Sequence, residues 1–431
     1  MQLDLVEVLF HQSGCISGSC RRAKRLLRQA AFVERSVRGV ISMSLSLSVA
    51  LIATLLAGAS GFVVATLLSR ARARLRQSGP LAPDYFHGLN YLLDEQPDLA
   101  IDAITNTLAV NDDTVETHLL LGRLVRRQGD VDKAIRMHRQ LLVAPNVSRA
   151  KRALIELELG RDYLGAGLLE RAEPLLVDVA RHGGVTRGKA LELLLEVYQR
   201  EREWEHAVEA AEAMGDGSEV LAPTVAHYLC ELADVMLVQG ETRSARKYVQ
   251  RALAKDERCV RAWLLIARIE EADANHRAAI RALRRVPDIN PQFVREMLDA
   301  LDRCYQAMHA EHEFLRYLDN LVTRVPSCTA MVRRAEYHER EAGSSAAREF
   351  IEAQLVRRPS VRGLHALLRF YPTNVEDANV VLLRRFTEAM LVGKPVYRCE
   401  SCGFSAQSLH WLCPKCRTWG AVAPILGLEG D

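Results

Sequence analysis

The sequence predicts an all-α fold: a solenoid of repeated helical hairpins, preceded by an apolar N-terminal helix and followed by a small four-cysteine ribbon. Three observations carry this expectation. Small residues recur at a period near 34, an uncharged apolar stretch fills residues 45–68, and four cysteines cluster within eighteen residues near the C-terminus. Composition agrees, because aromatics are scarce at 6% while Ala, Leu and Arg are abundant, a mixture that favours helix over sandwich or barrel. A chain of 431 residues exceeds one ordinary compact domain, so two or three units are expected. An apolar fraction of 49% with 26% charged residues is that of a folded protein. Lys+Arg 57 against Asp+Glu 54 leaves only +3, which gives no global field for nucleic acid.

The first element is the apolar stretch. No charged residue lies between Arg38 and Arg70, and the 24 residues of 45–68 would form a helix of roughly 36 Å. That length crosses a bilayer core of ~30 Å with modest tilt. Arg70, Arg72, Arg74 and Arg76 follow at once, so the positive-inside rule places the remainder in the cytoplasm. Ala57-Gly58-Ala59 resembles a signal-peptide cleavage site, but apolar sequence resumes at Phe62 for seven residues, which favours an anchor. Residues 1–42 carry seven basic residues that oppose this orientation. The conflict disappears if translation starts at Met43, and residues 1–42 are then a non-native extension.

The second element is the array, expected over residues 81–392. Leu121-Gly122, Gly129, Ala134 and Pro145 set a register, and the small residue of the second helix recurs at Ala100, Ala134, Ala172, Ala207, Ala245, Ala279 and Ala347. The implied repeat starts are about 81, 115, 153, 188, 226, 260, 295 and 328. Leu159-Gly160, Tyr163, Tyr198, Trp263 and Tyr305, with Pro291, Pro326 and Pro359 at repeat ends, keep the same phase. A small residue where two helices cross lets their backbones approach, and large apolar residues fill the layers between hairpins. Phe314 breaks the rule in the repeat near 295. Tyr371-Pro372 interrupts the region beyond Val361, so the array is expected to end in a modified pair. This pattern resembles the tetratricopeptide repeat, which makes the fold class a tetratricopeptide-repeat solenoid of eight to nine repeats.

Such solenoids bind extended peptides or helices along the groove lined by their first helices. The ninth position of each repeat, which the resemblance places on that groove, reads Arg123, Arg161, Glu196, Asp234, Arg268, Arg303 and Glu336. Arg126 and Arg127 follow Arg123 on one helix. A basic groove segment capturing an acidic partner is the sharp reading, and a solvated charged face the bland one.

Enzyme signatures fail on inspection. Gly183, Gly188 and Lys189 form G-x4-G-K, but Ala190 stands where a phosphate loop needs Ser or Thr. Gly165-Ala166-Gly167 lacks a third glycine, and His309 with His312 lacks a further ligand. No catalytic residues are expected.

The last element, residues 396–431, carries the one sharp motif. Cys399, Cys402, Cys413 and Cys416 form C-x2-C-x10-C-x2-C. Each C-x2-C turn presents two thiolates to one ion, and two such turns complete a closed, structural tetrahedral site. Gly403 supplies the positive φ that the first turn needs. So short a segment holds no core without its metal. Zn2+ is favoured over iron, because iron sites of this kind have a longer insert between the turns. Trp411 and Trp419 are expected to pack the ribbon against the last helices.

The combination resembles the lipopolysaccharide assembly protein B (LapB) family. The ending YRCESCGFSAQSLHWLCPKCRTWGAVAPILGLEG is similar to that family's rubredoxin-like tail, and Asp84-Tyr85-Phe86, Gly88 to Leu93 and Gln96-Pro97-Asp98 to its first repeat. The resemblance covers residues 43–431. It implies an inner-membrane adaptor that presents the LpxC deacetylase to the FtsH protease, antagonised by a lipopolysaccharide-sensing membrane regulator. Partners from outside the family reading are a second copy of the chain or a scaffolded set of lipopolysaccharide assembly and transport proteins. A membrane-tethered iron–tetrathiolate electron carrier is the alternative from another class.

Overall fold

The computed structural model describes residues 108–428 apart from 146, 183, 216–217 and 373–376, together with Leu99, Ile101 and Ala103. The expected extension, membrane segment and most of the first repeat lie outside the described residues. The chain divides into two compact units, Met1–Ala109 and Val110–Asp431, and the second is described below.

Eight helical hairpins run in order through this unit: α1 (Val115–Gln128) with α2 (Val131–Val143), α3 (Arg149–Gly165) with α4 (Leu169–His182), α5 (Arg187–Glu201) with α6 (Trp204–Glu212), and α7 (Ser218–Val238) with α8 (Thr242–Lys255). Then come α9 (Val260–Ala272) with α10 (His276–Leu283), α11 (Val294–Ala307) with α12 (Glu311–Arg324), α13 (Cys328–Ala342) with α14 (Ser344–Arg357), and α15 (Val361–Arg369) with α16 (Ala378–Leu391). A helical turn, Val286–Ile289, precedes α11. Odd-numbered helices also contact one another along the array, as α1 with α3, α7 with α9, α9 with α11, and α11 with α13.

The repeat chemistry explains the hairpins. Ala134, Ala172, Ala207, Ala245, Ala279 and Ala347 are all fully buried where the second helix crosses the first. The Leu-Gly pairs serve the same approach: a Cβ on Gly122 would lie 2.2 Å from Nε2 of His138, and one on Gly160 would lie 2.7 Å from Leu176. Each of the first seven turns between paired helices holds one left-handed residue: Gly129, Gly167, Arg202, Gly240, Ala274, His309 and Gly343. That conformation reverses the chain tightly and satisfies the last carbonyls of the first helix. His309 is therefore a turn residue.

Two boundaries differ from expectation. Helix α3 begins four residues before 153, and α7 begins at Ser218, eight residues before 226. Pro223 is the sixth residue of α7, past its first turn, where the missing N–H removes the bond to the Glu219 carbonyl. Phe314, which replaces the small residue of α12, is fully buried between the rings of Tyr305 and Tyr337, at 5.5 and 5.6 Å. Among the described residues one helix, Glu219–Val238, is long and apolar enough to cross a membrane. It is α7, and Val225, Ala226, Leu229 and Ala233 on it are core residues of the array.

After α16 the chain forms a three-stranded antiparallel sheet in the order β2 (Ser405–Ala406), β1 (Tyr397–Cys399), β3 (Val422–Pro424). Tyr397 pairs with Ala406 on one side and Pro424 on the other.

Candidate metal centre and the face it docks on

Two turns build the centre. Cys399 ends β1 and its amide donates to Phe404, while the Gly403 amide donates back to the Cys399 carbonyl at 2.9 Å. The second turn repeats the design: the Arg417 amide donates to the Cys413 carbonyl at 2.9 Å, and the Cys413 amide to Thr418. The residue after each second cysteine is left-handed, Gly403 at φ 72° and Arg417 at φ 58°. Gly403 does what its sequence position implies, and Arg417 adopts the same conformation against the Cβ penalty.

The four thiols converge. Sγ of Cys399 lies 3.6 Å from Sγ of Cys416, Sγ of Cys402 lies 3.6 Å from Sγ of Cys413, and all four sulfurs fall within 4.8 Å of one another. A tetrahedron with metal–sulfur bonds of about 2.3 Å has sulfur edges of about 3.8 Å, so the donor set fits one tetrathiolate ion. Cys399 and Cys413 are buried, and Cys402 and Cys416 half-buried. The Thr418 hydroxyl and amide beside Cys416 hold its thiol at about 6, below the ordinary range, which readies it as a thiolate ligand. Four protein ligands would leave no open position on a bound ion for water or substrate.

The ribbon does not sit on the last helices. Trp419 donates its indole N–H to Gln199 on α5 at 3.0 Å, stacks on His227 at 5.2 Å, and meets Trp204 and Tyr228 edge-on at 5.8 and 5.7 Å. Trp411 stacks on Phe293 at 5.5 Å with the guanidinium of Arg261 at 6.0 Å. Tyr397 donates to Glu296 on α11 at 2.6 Å. The expectation fails for a physical reason. The aromatic shelf of Trp204, His227, Tyr228 and Phe293 lies near α5, α7 and α11, and the linker after α16 lets the ribbon fold back onto it. Sequence reasoning missed these shelf residues, since an aromatic at a repeat position reads equally as core. The Leu428 carbonyl accepts from Val361 at 2.8 Å, tying the chain end to α15.

Gly420 makes this contact possible. It is left-handed at φ 65°, and a Cβ there would lie 3.0 Å from Nε2 of His227. Burial, with the Arg261 charge, pushes His227 down to about 3, so the imidazole is neutral beneath the ribbon.

The structure places the groove arginines in ion pairs, those of Arg123, Arg126, Arg268 and Arg303 between successive first helices and that of Arg161 within α3. Arg123 reaches Glu158 at 3.0 Å, and Arg126 reaches Glu158 at 2.8 Å and Asp162 at 2.6 Å, all from α1 to α3. Arg161 pairs with Glu158 at 3.0 Å, Arg268 with Asp234 at 3.2 Å, and Arg303 with Glu271 at 2.7 Å. Glu158 is 1% exposed and Asp162 fully buried, with His138 on α2 also bonded to Asp162. Arg126 is thus a counter-ion of the fold rather than a solvated groove charge. Its acidic partners lie 32 and 36 residues away, one repeat further on. Arg127 is exposed.

With the geometry in place, comparison with known proteins is decisive. A rubredoxin metal binding domain family matches residues 397–424, and a tetratricopeptide repeat family matches residues 87–142 and 230–292. Lipopolysaccharide assembly protein B of Escherichia coli (strain K12) is 33% identical over 359 residues, spanning 82% of this chain and 92% of that one. The chain belongs to the lipopolysaccharide assembly protein B family. The Haemophilus influenzae protein of the same name is 29% identical over 369 residues, again 82% and 92% of the two chains. A tetratricopeptide repeat protein from Parabacteroides merdae superposes with a TM-score of 0.30 at 14% identity, covering 64% of this chain and 99% of that one, too weakly to carry an argument. A metal-binding tetrathiolate ribbon on a tetratricopeptide array is therefore what this family member presents.

Proposed function

We propose that the chain is a non-enzymatic adaptor of the inner membrane that limits lipopolysaccharide synthesis by presenting the LpxC deacetylase to the FtsH protease. The observation that carries this reading is the 33% identity along 92% of the Escherichia coli protein, whose name concerns lipopolysaccharide assembly. Residues 45–68 anchor the chain with Arg70 onward cytoplasmic, and so short a tether keeps the array at high effective concentration near a membrane protease. Zn2+ in the four-cysteine site holds the ribbon folded on α5, α7 and α11. The ribbon thereby covers part of the first-helix face, and the stretch around α1 and α3, with Arg127 exposed and Arg123 and Arg161 at its edge, receives an acidic partner surface. Arg268 and Arg303 extend that face toward the ribbon. A lipopolysaccharide-sensing membrane regulator opposes the adaptor. Nucleic acid has no place in this reading, and a second copy of the chain has no assigned surface.

The test is the LpxC half-life in cells lacking the endogenous protein and supplied with this chain. A shortened half-life that requires FtsH, with both proteins recovered alongside the detergent-solubilised chain, supports the adaptor. Recovery of lipopolysaccharide transport proteins with unchanged LpxC turnover selects the scaffold reading. The same four thiolates accommodate iron, so iron with a visible charge-transfer band in the purified chain selects an electron carrier.

A further inference from the structure

A cavity of about 410 Å3 opens where four helix ends meet: the C-termini of α12 and α14 and the N-termini of α13 and α15. Leu426 and Gly427, just past β3, close one side of it. The Leu428 carbonyl accepts from the Val361 amide of α15 at 2.8 Å, which keeps this tail against the array.

The walls divide by polarity. Val322, Val325 and Met331 line the cavity and are buried, so they form its floor. Pro326 and Leu426 add further apolar surface. Among the described residues of the wall, Arg358 is the one charged group. It follows the last residue of α14 and is exposed, so its guanidinium stands at the mouth. Ser360, the N-cap of α15, lines the same wall. Its hydroxyl oxygen accepts from the Gly363 amide at 3.2 Å, which leaves the O–H to donate.

This chemistry selects a ligand class. Small-molecule sites measure roughly 300–1,000 Å3 and pair apolar walls with a few placed polar groups. Water is poorly held by Val, Pro, Met and Leu, because each ordered molecule needs two or more polar partners. A hydrocarbon chain that replaces it gains by leaving solvent. At roughly 30 Å3 for a water-sized group, the space takes about a dozen methylenes, which suits one chain and not two. The planar fork of a single arginine matches one carboxylate.

We propose that this cavity binds a single-chain fatty-acid anion, with its hydrocarbon against Val322, Val325, Met331 and Leu426 and its carboxylate held at the mouth by Arg358 and the Ser360 hydroxyl. The site goes beyond the adaptor reading, since none of the groove arginines lines it.

The experiment uses the full chain, metal-loaded and reconstituted in phosphatidylcholine nanodiscs. The probe is dodecanoate carrying a terminal diazirine, and its adducts are mapped by mass spectrometry after irradiation. Adducts are expected within residues 322–331 or at 426–427 and should vanish with excess dodecanoate. A competitor shorter by two methylenes should be about tenfold weaker. Arg358→Glu, an exposed change, should reduce this labelling about tenfold, as loss of a charge-assisted hydrogen bond does. Leu426→Trp, which fills the cavity from the tail, should abolish the adducts within 322–331 at unchanged helicity. Adducts confined to residues 45–68 would reflect uptake by the bilayer and overturn the proposal, as would full labelling of Leu426→Trp. Dodecanol competing as well as dodecanoate, or full labelling of Arg358→Glu, overturns the assignment of the head group.

Discussion

Trp419 donates its indole N–H to Gln199 at 3.0 Å, joining residues 220 positions apart. This bond stands at the centre of the aromatic shelf on which the ribbon docks.

Removing the metal should release the ribbon. Cys413→Ser deletes a fully buried ligand, and the remaining three thiols cannot close a tetrahedral site. Ion binding in comparable small modules is worth ~10–16 kcal/mol, more than a segment of this size recovers by burial. Residues 396–428 should become protease-sensitive while bulk helicity is kept. A ribbon that stays protected after chelation would contradict this.

Trp419→Ala should separate docking from metal binding. Truncating a well-packed Trp costs ~3–5 kcal/mol, and here the cost falls on the contact between ribbon and array. One metal ion per chain should remain by elemental analysis, with the ribbon cleaved faster by protease. Unchanged cleavage would place the main docking energy on Trp411 or Tyr397.

Arg126→Ala should destabilise the array by at most ~3–5 kcal/mol, because buried Asp162 loses its arginine and is left with His138, while Glu158 keeps Arg123 and Arg161. Arg127→Ala, an exposed change, should stay within ~0.5 kcal/mol. Denaturant melts of the two variants give the comparison, and equal midpoints would refute the counter-ion assignment.

Acid should undock the ribbon by way of His227. Its pKa in the docked state is about 3, against an ordinary value of 6.5. The released state binds a proton that the docked state does not, so the docking contribution of His227 is complete above 6.5 and declines as pH falls toward 3. Tryptophan emission from Trp411 and Trp419 should shift between pH 6.5 and 5, and His227→Phe should remove that shift. A wild-type profile flat over this interval would show that His227 is solvated.

Ala274→Gly should stabilise the turn between α9 and α10. Ala274 is left-handed at φ 56°, a conformation that costs a residue with a Cβ ~1–2 kcal/mol. The thermal midpoint should rise, with unchanged helicity. A fall would mean that the Ala274 methyl makes contacts that outweigh the strain.

The local features were legible and the distant ones were not. Ala134 through Ala347 announce their crossings, because a small residue is demanded wherever two backbones meet, and the demand recurs with the repeat. The C-x2-C turns are legible because two ligands from one turn need that spacing. The pairing of Arg126 with Glu158 and Asp162 escapes such reading, since each charge looks solvated until the next repeat is stacked beside it. The early start of α7 escaped as well, because the 34-residue register set it near 226 and Pro223, inside the helix, speaks against an earlier one. The seat of the ribbon was least legible of all. Nothing near Trp419 in sequence names Gln199, His227 or Tyr228, and only the folded array brings them under one indole.

The ribbon's reach across α5, α7 and α11 alters how the array comes apart. A plain stack of hairpins unfolds like a one-dimensional chain of neighbours, fraying from an end and stopping at any interface. A clamp joining residues 220 apart adds a coupling that skips several layers. The hairpins from α5 to α12 then open together or remain closed together, while α1 to α4 keep the independence of an ordinary stack. Metal loss converts the middle of the array from a cooperative block into a frayed one. Folding pays for that block in speed, because so distant a closure forms after its neighbours are in place.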